Sequence, residues 1–274
     1  MMPTVVVLSV IGIIIGGIFL LPLVQQFRRD RLKKRAFTPQ WITLIQQYLP
    51  FYHRLTPNEQ RRLQGHVQVF LAEKQFIGCA GLKVTEEIRL VVAAIACLLL
   101  LNERGHYFPK LQSILIYPTA YLATQVKVTN GYIVEEQQVA RLGESWVQDQ
   151  LILSWQQVQQ DAVNWRHGQN VVLHEFAHQL DQADGKADGV PILSETVEPQ
   201  QWTTVMTMEY QLLCQQVEQG VETVLDSYGA TNPAEFFAVV TEAFFCQPRL
   251  LQQRHPRLYR LFQHYYQLNP EQWW

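Results

Sequence analysis

The residues with the most recognisable chemistry in this chain are 174–178, which read HEFAH. Positions four apart on a helix lie on one face, so His174 and His178 can present two ring nitrogens to one Zn²⁺ ion. Glu175 lies one step around the helix, where its carboxylate can act as general base towards a metal-activated water without being a ligand. Apolar residues flank the motif and predict a buried active-site helix. The spacing therefore predicts a zinc-dependent hydrolase.

A catalytic zinc site also needs a third protein ligand and an open position for water. No histidine occurs between His178 and His255, which makes a downstream carboxylate the natural third ligand. Residues 232–240 read NPAEFFAVV, which predicts a helix with an Asn N-cap, a first-turn Pro and Glu235 at the third position. Glu242 follows seven residues later on nearly the same face. By spacing alone either glutamate could be the ligand.

Two acidic residues near these positions have no assigned role from spacing. Glu242, if it is not a ligand, could orient a ligand histidine or simply take part in packing. Asp181, seven residues after His174, has an equal claim to orient a histidine. The sequence favours neither.

The elements that must position these residues are mostly helical. Thr56, Pro57 and Glu59 form a helix-start pattern, and Thr85 opens a very apolar core helix through residues 86–102. Helices are also predicted at 57–72, 233–246 and 248–266. Short β-branched and aromatic runs predict strands at Ser113–Tyr117, Tyr132–Val134 and Leu151–Trp155. The fold class predicted is α+β: a mostly helical, zincin-like domain with a small sheet, preceded by one transmembrane helix.

The first part of the chain differs from the rest in charge. Residues 5–24 are apolar over about 30 Å of helix, the thickness of a bilayer core. Residues 28–35, RRDRLKKR, carry six basic side chains and one acid. A basic block after the span favours a single-pass anchor with the domain on the cytoplasmic side, over a cleaved signal peptide. We expect an anchor at 1–27, a basic juxtamembrane segment at 28–36 and a peptidase domain at 37–274.

Composition excludes several other classes of protein. The isoelectric point of about 6.4 argues against direct nucleic-acid binding. The four cysteines are widely spread without a CxxC pair, which argues against a disulfide scaffold or a cysteine-zinc ribbon. No phosphate-binding glycine motif occurs.

Several ordered motifs together resemble one family. HEFAHQLD with NPAEFFAVVTEAFF downstream, preceded by LPFYHRLTPNEQRRL, ILIYPTAY, ARLGESW and LILSW, is similar to the Mlc titration factor A family of zinc peptidases. The resemblance covers roughly Tyr48 to Pro270. It implies that Glu235 is the third zinc ligand. It also implies that Tyr228, just before that helix, helps to stabilise the transition state, as a phenol could by donating to an oxyanion.

The resemblance implies two kinds of function. One is a zinc metallopeptidase acting on peptide or protein substrates, with a tendency towards aminopeptidase-type cleavage of short substrates. The alternative is a regulatory protein that sequesters a transcription repressor, as the family's namesake binds the Mlc repressor. The intact Glu175 argues against a purely structural metal site, because such a site gains little from an adjacent base. The family's well-known members are soluble, so the predicted anchor is a departure from them.

Overall fold

A computed structural model describes residues 20–102, 107–120, 149–193 and 197–274. Within these ranges the chain is α+β, mostly helical with one small sheet, which confirms that part of the predicted fold class. The helices are α1 (residues 20–33), α2 (Pro39–Tyr48), α3 (Pro57–Glu73), α4 (Glu86–Leu98), α5 (Trp155–Val163), α6 (Val171–Asp181), α7 (Pro199–Glu218), α8 (Pro233–Cys246), α9 (Pro248–Arg254) and α10 (Pro256–Tyr266).

Three parallel strands form the sheet of the described residues. They are β1 (Gln75–Gly78), β2 (Ser113–Tyr117) and β3 (Gln150–Ser154), in the order β1-β2-β3. The predicted strand at Ser113–Tyr117 is confirmed, and the one at Leu151–Trp155 is confirmed with a shift of one residue, because Trp155 begins α5. The predicted strand Tyr132–Val134 lies outside the described residues. Strand β1 was not predicted.

The helix-start signals of the sequence are confirmed where the structure describes them. The Thr56 side chain caps α3 in a reciprocal capping box with Glu59, and Thr85 caps α4. The predicted single helix at 248–266 is wrong. Pro256 cannot donate the next backbone hydrogen bond, so the chain turns at His255 and continues as a separate helix, α10.

The core is built around α4 and α8, the two most apolar helices. Every residue of α4 from Leu90 to Leu98 is buried, and so is every residue of α8 from Phe236 to Cys246. Glu242 is the one charged residue in that stretch of α8. Helix α6, which carries HEFAH, packs against α8 and also contacts α4. This arrangement places the motif helix directly beside the helix that carries both candidate glutamates.

The described residues contain no helix with both the length and the apolar content to cross a membrane. The predicted span over residues 5–24 lies mainly outside the described residues, which begin at Leu20. Helix α1 therefore shows only the last residues of that span, followed by the basic block.

Candidate metal centre

The motif helix is fixed at its N-terminus by three polar side chains. Asn170 is the N-cap of α6, and its side-chain oxygen accepts a hydrogen bond from the backbone N–H of Leu173 (3.1 Å). The backbone N–H of Val171 donates to Asp161 Oδ2 (2.8 Å), and the backbone N–H of Asn170 donates to Glu242. Two carboxylates therefore accept from backbone N–H groups that have no partner within the helix, at its positive end, where negative charge is stabilising.

Helix α8 begins with the capping pattern expected from the sequence. Asn232 is its N-cap, Pro233 occupies the first turn, and the Asn232 side chain accepts from the backbone N–H of Glu235 (3.0 Å). The Glu235 side chain does not cap the helix in return. It points at the histidines of α6, where its Oε2 atom lies 3.0 Å from His174 Nε2 and 3.3 Å from His178 Nε2.

The structure brings His174, His178 and Glu235 together at one point. The two histidine Nε2 atoms are 3.2 Å apart, so the three donor atoms form a triangle with sides of 3.0, 3.2 and 3.3 Å. Zinc ligands at about 2.0–2.1 Å in tetrahedral geometry are separated by about 3.3 Å. The triangle therefore fits one face of a zinc tetrahedron, and its donor set of two imidazoles and one carboxylate is one that catalytic zinc sites use. Within the described ranges, this is the one group of three such residues close enough to share a metal ion.

The structure gives Glu242 a specific contact that spacing left open. Its Oε1 atom lies 2.7 Å from His174 Nδ1, and its other oxygen accepts from the N-cap of the motif helix. Because a bond at Nδ1 leaves Nε2 facing Glu235, Glu242 fixes which nitrogen of His174 points at the cluster. Burial raises the pKa of Glu242, while its hydrogen bond with His174 acts in the opposite direction.

Asp181 does not contact a histidine through any hydrogen bond that the structure shows. It is fully buried, and its Oδ2 atom accepts from the backbone N–H of Gly189 (3.1 Å). Its Oδ1 atom has no hydrogen-bond partner among the described residues. Burial raises the pKa of Asp181 to about 6, with the bond from Gly189 opposing the rise. Asp181 therefore holds the loop that follows the motif helix.

The charged groups of the cluster shift the pKa values of His174 and Glu235. Burial lowers the pKa of His174, but the hydrogen bonds with Glu235 and Glu242 outweigh it and raise this pKa to about 10. Burial raises the pKa of Glu235, and the hydrogen bonds from both histidines overcome that effect and lower it to about 2. The negative charge of Glu175 also contributes to the raised pKa of His174. A metal ion bound at His174 Nε2 would have to displace a proton, which makes metal affinity depend on pH.

Glu175 and Tyr228 are both neighbours of His174. Glu175 follows His174 on α6 and is partly exposed. Tyr228 lies in a short 3-10 turn, Ser227–Ala230, and its ring centroid is 6.0 Å from that of His174. The turn packs closely against α8, because a Cβ added to the buried Gly229 would lie 3.3 Å from Val239. Tyr228 is 51% exposed, so its ring is accessible to solvent beside His174.

Two residues of this site were not predicted from the sequence. Asn170, the N-cap, has a local signal that identifies it: it directly precedes the apolar start of the motif helix. Asp161 lies on α5 and reaches α6 only because the two helices pack together. Within α5, Gln157 Nε2 also donates to Asp161 (2.7 Å). No local pattern points to Asp161.

Comparison with known proteins gives one family. The family model described as glucose-regulated metallo-peptidase M90 matches residues 24–267. An uncharacterized protein of Synechocystis sp. is 44% identical over 271 residues, 98% of each chain. Mlc titration factor A of Klebsiella pneumoniae is 32% identical over 227 residues, 82% of this chain and 84% of the relative. The protein of the same name from Escherichia fergusonii is 30% identical over 225 residues, 81% of this chain and 84% of that one.

Proposed function

The chain belongs to the M90 family of glucose-regulated metallopeptidases, and from this premise we propose that it is a zinc-dependent peptidase with Glu175 as its general base. The observation that carries the proposal is the triangle formed by His174, His178 and Glu235, whose sides of 3.0, 3.2 and 3.3 Å suit three ligands of one zinc ion. Three protein ligands leave a fourth position for water or substrate, which distinguishes catalytic zinc sites from structural ones.

When bound, zinc supplies a Lewis acid that polarises the scissile carbonyl and lowers the pKa of a water molecule towards 7. The Glu175 carboxylate accepts the proton of the attacking water and passes it to the amine nitrogen as the peptide bond breaks. Glu175 is suited to this role because it lies next to His174 on the same helix and remains partly exposed. The ring orientation of His174 is held by Glu242 at Nδ1.

Tyr228 completes the proposed site as a hydrogen-bond donor. Its ring lies 6.0 Å from that of His174 and is half exposed. Its phenol can donate to the oxyanion that develops when water attacks the carbonyl, a contact that stabilises the transition state more than the ground state. The close packing of its turn on α8 limits how far the tyrosine can move from the cluster.

The first test measures zinc content and peptide cleavage for the full chain beside Glu175→Gln. We expect about one zinc per chain in both proteins, as three ligands define one site. Cleavage should be lost in the variant because an amide cannot accept the proton. A wild-type protein without zinc would overturn the ligand assignment, and a Glu175→Gln variant with full activity would overturn the base.

A second comparison concerns the type of cleavage. An aminopeptidase must hold the free amine of its substrate, whereas an endopeptidase accepts a blocked N-terminus. We propose aminopeptidase-type cleavage, as the family resemblance implies. Matched peptides with free and acetylated N-termini separate the two types: selective loss of cleavage on acetylation supports this part of the proposal, and equal cleavage contradicts it.

The name of the relatives gives a second candidate function. Mlc titration factor A is named for the titration of Mlc, and these relatives match four fifths of this chain. On this alternative, the chain binds and sequesters a transcription repressor. Glu175→Gln discriminates between the functions, because it should abolish cleavage and leave repressor binding unchanged. Binding without any cleavage by the wild type, across a broad peptide panel, would favour the alternative.

We also propose that the chain is anchored in a membrane by its N-terminal segment, with the peptidase domain on the cytoplasmic side. Support comes from the apolar run at 5–24 and the basic block at 28–35. The Synechocystis relative aligns over 98% of both chains, so its match includes most of this segment. Protease added outside intact cells should leave the domain undigested. Digestion there would contradict the orientation.

A further inference from the structure

The second half of α1 packs on the domain, whereas its first half is exposed. In the second half, Arg29 Nε and Nη2 each donate to one carboxylate oxygen of Glu73 on α3, both at 2.8 Å. The Arg29 guanidinium also lies 4.7 Å from the centroid of the Tyr107 ring, and Leu32 is buried. A Cβ added to Gly65 of α3 would lie 3.3 Å from the Lys33 side chain, so the two helices approach closely there. This half is firmly docked on the domain.

The first half of α1 lies before that contact and is apolar except for Gln25 and Gln26. Its large hydrophobic side chains are 59–68% exposed: Leu20, Leu21, Leu23, Val24 and Phe27. Single exposed hydrophobic residues are ordinary on protein surfaces. Five within eight consecutive residues form a continuous patch of the kind that marks a site of interaction.

Charge identifies the occupant of this patch. Directly after the apolar half, four further basic side chains lie on and just beyond α1: Arg28, Arg31, Lys34 and Arg35. A band of hydrophobic side chains followed by a band of Lys and Arg matches the hydrocarbon layer and the anionic headgroups of a bilayer. Another protein surface would not require this order along the helix axis. The occupant that fits is an anionic lipid bilayer.

We propose that α1 is a continuous strut between membrane and domain. Residues 20–24 lie in the hydrocarbon layer, residues 25–35 lie at its edge and at the phosphate groups, and the Arg29–Glu73 ion pair fixes the helix on α3. The domain is then held at the membrane in one orientation, not on a flexible tether. This inference rests on the anchor in the proposed function, but not on the peptidase activity.

The motif helix is only a few contacts from the base of this strut. Arg29 lies over Tyr107, and the ring of the next residue, Phe108, is 4.7 Å from that of Phe176 within HEFAH. A chain of packed side chains therefore connects the base of the strut to the motif helix.

The lipid contact can be tested with an environment-sensitive fluorophore. The test uses the full chain with the two accessible cysteines replaced, Cys79→Ser and Cys214→Ser, so that the two remaining native cysteines are buried. A single Leu23→Cys or Leu212→Cys is then labelled. Leu212 is the matched control, because it is an exposed leucine of α7 (40%) without neighbouring basic residues on its helix.

In vesicles of phosphatidylcholine and phosphatidylglycerol, we expect the label at position 23 to shift to the blue and to be quenched by lipids with spin-labelled acyl chains. The label at position 212 should respond to neither. Equal behaviour of the two labels overturns the proposal. So does a blue shift at position 23 in lipid-free buffer that accompanies dimer formation, because a second copy would then cover the patch.

The strut can be tested by the distance between spin labels at Gln26 on α1 and Asn58 on α3, in the same cysteine background in vesicles. A docked helix gives a narrow distance distribution, and Glu73→Ala should broaden it several-fold. The charge swap of Arg29→Glu with Glu73→Arg should narrow it again. A broad distribution in the otherwise unchanged chain, or no effect of Glu73→Ala, overturns the clamp. Neither readout uses zinc or cleavage, so failure of the peptidase proposal is seen separately, in the zinc and cleavage assays.

Discussion

Two histidines of this chain, the partly buried His174 and the fully buried His66, have pKa values shifted in opposite directions. His174 lies between the carboxylates of Glu235 and Glu242, which raise its pKa to about 10 against the effect of burial. His66 lies on α3, where burial first, and then the charges of Lys33 and Arg62, lower its pKa to about 3. The Nδ1 atom of His66 contacts the Tyr107 hydroxyl at 2.7 Å, a neutral partner.

A further histidine, the buried His255, refines this comparison. His255 Nδ1 lies 2.7 Å from Glu209 Oε2, the same distance as between His174 and Glu242. One carboxylate beside one histidine is thus found both in the metal centre and in an ordinary contact between helices. The metal centre differs because His178 and Glu235 also direct ligand atoms at the second ring nitrogen of His174, Nε2. Convergence of several donors, and not a single ion pair, identifies the functional region.

The strongest test of this distinction is to replace one carboxylate by an amide in each region. Glu235→Gln should weaken zinc binding by more than about 100-fold, because loss of an outer-shell partner alone costs about 10–100-fold. Peptide cleavage should fall to background. Glu209→Gln is the matched control, a Glu-to-Gln change beside a buried histidine. It should leave zinc affinity unchanged, as measured by titration against a competing chelator.

Wild-type zinc affinity in Glu235→Gln would remove Glu235 from the ligand set. Loss of zinc in both variants would mean that convergence does not distinguish the regions.

A smaller effect is expected for the exposed side of the metal centre. Tyr228→Phe removes one donor to the developing oxyanion and should lower kcat by about 10²–10³-fold. Zinc content and KM should change little, since the hydroxyl acts mainly in the transition state.

The matched control for Tyr228 is Tyr210→Phe. The Tyr210 hydroxyl donates to the Ala230 carbonyl in the same turn (3.2 Å), so this variant disturbs the turn without removing the proposed donor. Steady-state kinetics on one peptide measure both. An equal fall in kcat for the two variants would assign the effect of Tyr228 to the turn.

The residues of the metal centre differ in how far sequence could predict them. His174, Glu175 and His178 follow from helical spacing alone, because the three positions occupy one short stretch of helix. The choice between Glu235 and Glu242 did not follow, since residues seven apart on a helix share nearly the same face. In the structure they differ in their position along α8. Glu235 lies in the first turn, at the cluster, and Glu242 lies two turns further, at His174 Nδ1.

The fold shows the same division between local and tertiary signals. The caps at Thr56, Thr85 and Asn232 were predictable because each uses residues within one turn. Strand β1 was missed, since its four residues have only one half-buried hydrophobic side chain and depend on pairing with β2. Asp161 was missed for a similar reason, as its partner Val171 is brought to it by the packing of α5 on α6.

A still smaller effect, on zinc affinity, is expected for Glu242→Gln. The amide can still accept a hydrogen bond but no longer provides the negative charge at His174 Nδ1, so zinc affinity should fall by about 10–100-fold. Asp161→Asn is the control, because Asp161 also accepts from the N-terminus of α6 but contacts neither histidine. It should lower the free energy of unfolding and leave zinc affinity near the wild-type value.

Measuring zinc affinity and thermal unfolding for both Glu242→Gln and Asp161→Asn separates orientation of the histidine from support of the helix. A zinc affinity that falls equally in both variants would make Glu242 a structural residue only.

The smallest expected effect is on the free energy of unfolding at low pH, and it comes from His66. Above pH 6.5 the imidazole is neutral in both the folded and the unfolded chain. Between pH 6.5 and about 3 the unfolded chain binds a proton that the folded chain does not, so stability falls as the pH falls. Well inside this window the loss approaches about 1.4 kcal/mol per pH unit.

His66→Gln removes this titration and retains a polar group opposite Tyr107. The difference in unfolding free energy between wild type and variant, measured by urea unfolding, should be constant above pH 7 and should shift in favour of the variant as the pH is lowered to 4. A pH-independent difference would mean that His66 has the same pKa in the folded and the unfolded chain. The contrast with His174 in pKa would then fail, and only the convergence of ligands would separate the two regions.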